Sequence, residues 1–297
     1  MSTEKRVLFA LLLAITAIFI AAWVRSVRRR PPPAGMRPTA LELLVGFVTN
    51  FFDTLGIGSF APTTSIFKLR RMVPDERIPG TLNVGHALPT VAEALVFIAI
   101  VNVGMATLVS LIAASVLGAW LGAGIVASWP RWKVQIGMGA TLLVAAGLLA
   151  MTNLHLIPGG GDALSLRGWL FAAGVVGNFA LGALMTLGIG LYAPCMILVS
   201  LLGMNPIAAF PIMMGSCAFL MPVGSLRFIE KESYSPRPAL GLAVGGVPGV
   251  LIAAFMVWKL PLTALRWGVI AVVLYAAGAM LRSALRPAEV SPPPERS

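Results

Sequence analysis

The sequence predicts an all-α membrane protein made of two inverted repeats, each a re-entrant or broken helix hairpin followed by three transmembrane helices, with an extra anchor helix at the N-terminus. Three observations predict it. Of 297 residues, 58% are hydrophobic and 11% charged, with a mean hydropathy of +0.90; such a surface suits lipid and not water. Thr54-Leu-Gly-Ile-Gly58, with Ala61-Pro62 after it, recurs 132 positions later as Thr186-Leu-Gly-Ile-Gly190 with Ala193-Pro194. Finally, each copy sits in an apolar segment too long for one straight crossing.

The elements follow in order. The apolar run 7–24 precedes Arg25, Arg28, Arg29 and Arg30, a stop-transfer flank, and shows no small-x-small cleavage site with a plausible start after it. It reads as an uncleaved anchor. Pro31-Pro-Pro33 makes the rest of 1–38 a stiff basic linker. The first repeat then fills 39–152 and the second 168–287. Between them 153–167 is an external connector carrying Gly159-Gly-Gly161, and after them 288–297, with Pro292-Pro-Pro294, is a disordered tail. Apolar stretches of crossing length lie at about 80–102, 104–127, 134–152, 206–226, 239–258 and 262–281, since about 20 helical residues span roughly 30 Å of hydrocarbon.

The segments 39–69 and 168–202 run to 31 and 35 residues, which as straight helices would exceed about 45 Å. Each contains the glycine turn, which loosens a helix, and a proline suited to the first turn of a new one. Charge indicates how they bend. Arg25 to Arg37 precede the first segment, and Lys68, Arg70, Arg71 and Arg77 close it. A single crossing would put these clusters on opposite sides, against the tendency of cytoplasmic loops to hold the positive charge. A hairpin turning at 56–58 removes the conflict; a kinked, tilted crossing is the alternative. With the hairpin, Arg131, Lys133, Arg227, Lys231, Arg237, Arg282 and Arg286 also fall inside, so that 17 of 22 basic residues are cytoplasmic and only Lys5, Arg6, Arg167, Lys259 and Arg266 are outside. Trp129 and Trp132 flank an internal turn and Trp258 and Trp267 an external one, as interfacial anchors do. One hairpin plus three crossings turns the second half upside down. The N-terminus is then outside and the C-terminus in the cytoplasm, in a cell inner membrane. Topology accounts for the net charge of +11 without a nucleic-acid partner.

At the same offset Leu69 pairs with Leu201, Met72 with Met204, Pro74 with Pro206 and Pro79 with Pro211, giving eleven identities between 54–79 and 186–211. Broken helices at corresponding places in two halves point to the central site of a transporter. The two Gly-Ile-Gly turns, each with a proline four residues on, and Pro79-Gly-Thr81-Leu-Asn83 resemble the TauE/SafE sulfite exporter family of anion permeases over about 39–285. That family often carries more glycine after the turn, where this chain has Ser59-Phe60 and Leu191-Tyr192. The resemblance implies a duplicated carrier of small sulfur-containing or carboxylate anions that is not driven by ATP.

The residues point the same way. A return helix starting near 59–63 leaves unpaired backbone N–H groups and a positive dipole end at mid-membrane, a ready anion site. The candidate substrate-binding residues are Asn50, Thr54, Gly56, Gly58, Ser59, Thr63, Thr64 and Asn83 in the first half, and Thr186, Gly188, Gly190, Tyr192, Cys195 and Ser216 in the second. The bland alternative is that such hydroxyls bond their own helix backbone. Asp53, His86 and Glu93 are the candidates for proton coupling, because a buried carboxylate costs at least about 2.5 kcal/mol at the bilayer centre and histidine titrates near neutrality. For Asp53 the alternative is a cap on the broken helix. At the equivalent positions the second half has Met185, Ala218 and Ser225, so coupling would sit in the first half alone.

Gly118-x-x-x-Gly122 and Gly241-x-x-x-Gly245-x-x-x-Gly249 suit close helix packing, inside the chain first, although a homodimer is compatible with them. Cys195 and Cys217 lack metal-ligand spacing, and no Gly-Lys-Ser/Thr phosphate loop is present; no metal or cofactor is expected. Two other functions compete with the permease: a membrane scaffold or assembly factor, and an intramembrane hydrolase with Ser59 as nucleophile and His86 as base, so that an enzyme is not the expectation. Single-cysteine labelling tests the topology. Positions in 70–77 and 228–236 should react from the cytoplasm, and those in 156–162 and 203–205 from outside; labelling of 70–77 from outside would overturn the hairpin.

Overall fold

The computed structural model describes residues 3–29, 35–55, 57–100, 102–156, 161–187, 190–205, 208–256 and 262–285. Gly56, Gly188, the Pro31-Pro-Pro33 linker, most of the Gly159-Gly-Gly161 connector, Trp258 and the tail lie outside them. The helices are α1 (Thr3–Arg29), α2 (Ala40–Thr54), α3 (Phe60–Arg70), α4 (Ile78–Ile100), α5 (Met105–Val126), α6 (Arg131–Asn153), α7 (Gly168–Met185), α8 (Tyr192–Leu201), α9 (Ala209–Glu230), α10 (Pro236–Met256) and α11 (Leu262–Ala284). Among the described residues there is no strand, only an isolated bridge between Ala163 and Met204. Seven helical stretches, within α1, α4 to α7, α9 and α10, are long and apolar enough to cross a membrane, and α11 adds a shorter apolar run at Val273–Arg282. The chain is a multi-pass, all-α membrane protein.

Both long apolar segments are interrupted where the sequence places the breaks: α2 ends at Thr54 and α3 begins at Phe60, α7 ends at Met185 and α8 begins at Tyr192. The helix bounds follow the same offset after α1. Adding 132 to the bounds of α2 to α6 gives 172–186, 192–202, 210–232, 237–258 and 263–285, against the observed 168–185, 192–201, 209–230, 236–256 and 262–284. Packing respects the same exchange. α2 lies on α10 as α7 lies on α5; α4 meets α10 as α9 meets α5; α3 meets α11 as α8 meets α6; and α4 packs on its counterpart α9, as α6 does on α11. α2, α3 and α7 therefore lie mainly against helices of the other half, while α8 also packs on α9 of its own.

Hydrogen bonds fix the helix directions. At one end Glu42 and Thr39 form a reciprocal capping box that starts α2, and Arg237 at the start of α10 bonds Glu42 at 3.1 Å. Ser235 N–H donates to Thr81 Oγ1, joining the start of α10 to that of α4. Lys231, after α9, donates to the carbonyl of Gly124 and to Ser128, at the end of α5. Lys68 at the end of α3 and Gln135 at the start of α6 both donate to Asp75. α2 thus starts at this basic end and α3 comes back to it. At the opposite end Lys5 of α1 bonds Asn102, Gly104 N–H donates to Leu164 O, and Leu166 N–H donates to Thr107 Oγ1 just before α7. Asn205 N–H, after α8, donates to Ala163 O. α7 starts at this end and α8 returns to it, while α4 and α9 run antiparallel.

α1 is more than an appended anchor, because Leu12 and Phe19 are fully enclosed where it packs on α9 and α4. The glycine series pack inside the chain. A Cβ on Gly245 would lie 2.0 Å from Leu43 O and one on Gly249 2.4 Å from Phe47 O, across α2 and α10. In the equivalent pair, a Cβ on Gly118 would lie 2.0 Å from Phe179 O and one on Gly182 2.1 Å from Ser115 O. These contacts are with backbone, which yields least. Gly245→Leu and Gly182→Leu should each cost about 1–3 kcal/mol or more of stability. Gly147→Leu, where an added Cβ meets nothing within 4 Å, should leave the thermal midpoint in detergent unchanged; equal midpoints for all three would refute the close-packing account.

Candidate functional site

The two breaks face each other across a small cavity. Its wall pairs equivalent positions of the repeat: Asp53 with Met185, Gly58 with Gly190, Ser59 with Leu191, and Phe60 with Tyr192; Thr90 of α4 and Cys217 and Met221 of α9 complete it. The cavity holds about 10 Å³ of space, the room of roughly one water. Pro89 and Pro222 lie inside α4 and α9 at the same level, and each removes a backbone donor there. Four interrupted or weakened helices therefore converge on one point, and no Lys or Arg is among the residues that line it.

Three side-chain clusters surround the cavity. In the first, Asp53 spans the α2–α3 break: its Oδ1 accepts from Ser59 N–H at 2.8 Å and its Oδ2 from Ser59 Oγ at 2.9 Å. This is the capping alternative, and it amends the expected anion site at α3, because a carboxylate of the chain already takes the Ser59 donors. Pro62 has no N–H, as Pro194 has none at α8, which leaves the N–H groups of Phe60 and Ala61 at that helix end beside the carboxylate. At α8 the corresponding residues, Met185 and Leu191, supply no such carboxylate, and the N–H groups of Tyr192 and Ala193 have no acceptor within their own helix.

In the second cluster His86 Nδ1 lies 2.9 Å from Asn50 Oδ1 and Nε2 lies 3.1 Å from Thr63 Oγ1, with the Phe60 ring tilted beside the imidazole at 5.7 Å. Asn50 Nδ2 donates to Gly46 O at 2.7 Å, which leaves Oδ1 facing the ring and so assigns a proton to Nδ1. Thr63 Oγ1 is also 2.7 Å from Ser59 O. Its single hydrogen can turn to Nε2 or to that carbonyl, so the pocket accepts neutral and charged histidine without moving a heavy atom.

The third cluster joins the two halves. Glu93 of α4 takes Thr54 Oγ1 on Oε1 at 2.7 Å and the Tyr192 hydroxyl on Oε2. Thr54 has a second acceptor in Asn50 O at 3.0 Å, so it too can turn its hydrogen away and accept from a protonated Glu93. His86 and Glu93 each face a threonine whose hydroxyl has a backbone alternative four residues back. Both titratable groups are fully enclosed.

Of the sequence candidates, Asn50, Asp53, Thr54, Ser59, Thr63, His86, Glu93 and Tyr192 join these clusters, and Gly58 and Gly190 line the cavity. Gly56 and Gly188 lie outside the described residues, and the other described candidates do not line it. Ser216 accepts from Asn178 at 2.9 Å, Thr186 bonds Ala183 O, Cys195 is buried off the wall, and Thr64 Oγ1 and Asn83 Oδ1 are buried without a partner. Gly58 has φ +88, as a glycine turn requires. Ser59 and His86 are bonded to different partners, so the nucleophile–base pair considered for a hydrolase is not formed. Phe60, Thr90, Met185, Leu191, Cys217 and Met221 were absent from the candidates. Phe60 and Leu191 could have been reached by extending the repeat through the turn, and Thr90 by its place on the helix face that carries Asn83, His86 and Glu93.

No family model matches the sequence, and no curated protein or solved structure is significantly similar to it. Gly58→Ala should cost about 1–2 kcal/mol through its backbone angle alone, since an added Cβ meets nothing within 4 Å there or at Gly190. The thermal midpoint of the variant in detergent checks this, and an unchanged midpoint would contradict it.

Proposed function

We propose that the protein is a secondary transporter of a small anion, a sulfur oxyanion, sulfonate or carboxylate, that crosses together with protons. In this reading the halves are inverted repeats, α2–α3 is a re-entrant hairpin from the cytoplasmic side and α7–α8 one from outside. The single observation that carries the reading is the cavity wall, where positions that correspond in the sequence repeat meet; carriers whose site lies at a repeat interface near the midplane are built in this way. The basic end, with Arg70, Arg71, Lys133, Arg227 and Lys231, is taken as cytoplasmic. The likeness of the Gly-Ile-Gly and Pro79-Gly-Thr81 elements to TauE/SafE permeases supports the substrate class.

The anion would approach the α8 N-terminus, where the dipole and the first N–H groups favour negative charge. Asp53 and Glu93 stand against it unless neutralised, because two like charges in a dry cavity repel strongly. Anion entry therefore requires proton uptake, and the turning hydroxyls of Thr54 and Thr63 let Glu93 and His86 take a proton without leaving a donor unpaired. One observation favours a second reading, a cation carrier: the site has two buried carboxylates and no basic residue on its wall.

Flux into liposomes decides between them. With sulfite, thiosulfate, a small sulfonate and small carboxylates offered in turn, an inward proton gradient should drive uptake of at least one. Glu93→Gln or His86→Gln should abolish gradient-driven uptake while sparing exchange of labelled for unlabelled substrate. Normal amounts of folded protein with no flux of any of these anions would defeat the anion reading, and current carried by an added cation would establish the second.

A further inference from the structure

The two breaks are equivalent in sequence and differently held. Across the first, Asp53 binds Ser59 twice and staples α2 to α3. Across the second, the same positions are Met185 and Leu191, which can form no such staple, and Met185 turns to Cys217 at 3.6 Å instead. The short α8, ten residues long, is tied at its first residue by another route: the Tyr192 hydroxyl passes to Glu93 on α4, in the other half. Among the described residues the remaining side-chain bonds between the halves lie at the ends of the bundle or, like Asn178 with Leu111, between other helices. The Tyr192 bond stands at the cavity.

We propose that α8 is the moving gate of the site and that the Tyr192–Glu93 hydrogen bond is its latch. The inference rests on the transport reading and deepens it by assigning the mobile element. The present cavity, with room for about one water, is the latched, occluded form, and any polyatomic substrate needs a wall to move. The stapled α3 is the rigid wall. α8, whose break lacks the carboxylate staple, swings when Glu93 lets go of the phenol, and its N–H groups move with it. Tyr192 acts through Glu93 and through the position of α8; it is a positioning residue.

A native cysteine reports the gate without any substrate. Cys217 lines the cavity and is 1% exposed, and Cys195, the other cysteine, is removed by Cys195→Ala. In that background the reaction of Cys217 with a membrane-permeant maleimide should be slow. Tyr192→Phe keeps the ring and removes only the donor; it should speed labelling about tenfold or more, in keeping with the loss of a bond to a charged acceptor. Glu93→Leu, which removes the acceptor, should do the same and serves if Tyr192→Phe folds poorly by size-exclusion profile. Ser59→Ala, which removes one of the two staple bonds on the other side and keeps the backbone one, should leave the rate near its starting value. Unchanged labelling in Tyr192→Phe and Glu93→Leu, or a larger rise in Ser59→Ala, would overturn the gate. Because labelling needs no substrate, flux with unchanged labelling sinks the gate alone, whereas fast labelling with no flux of any tested solute sinks the transport reading and leaves the gate standing.

Discussion

A helix interrupted inside a bilayer exposes backbone donors and acceptors that lipid cannot satisfy, and covering two such interruptions governs the rest of this structure. The chain meets the demand by exchange. α2 lies along α10 of the other half and α7 along α5, and the approach is close because glycines stand where side chains would strike backbone carbonyls. Each break is enclosed by helices of both halves, α4 and α9 among them, and the halves are thereby committed to one another.

The sequence repeat carried much of this. The positions of both breaks, the extents of all ten repeated helices and the close-packing glycines were legible, because each depends on local chain properties: apolar length, glycine and proline placement, and periodicity. What was not legible depends on partners distant in sequence. Nothing in Asp53 and Ser59 as letters says whether the carboxylate caps the helix or waits for a proton; the six-residue separation and the fold of the break decide it. Tyr192 was recognisable as a polar residue at the second turn, but its hydroxyl meets Glu93 from 99 positions away, a distance over which sequence carries no register.

The copies also differ at the cavity. Asp53, Ser59, His86 and Glu93 correspond to Met185, Leu191, Ala218 and Ser225. The carboxylates and the histidine stand in the first copy alone. If both copies carried carboxylates at the centre, at least about 2.5 kcal/mol each on the most lenient scale would have to be offset twice over. Placing them in one half halves that cost and leaves α8 with a helix start free of carboxylate.

The same asymmetry limits what can move. A break bridged by two hydrogen bonds within one half resists opening whatever the other half does. A break tied only across the interface opens when the halves separate, and the tie is lost at that moment. Two copies of one motif therefore divide the work of a site: the stapled copy holds its geometry, and the unstapled copy moves against it. The residue that joins them, Glu93, is also one that can change its charge with no heavy-atom rearrangement beyond the turn of a threonine hydroxyl. Protonation and release of α8 then meet in one carboxyl group, which is the least machinery that can couple a proton to a moving wall.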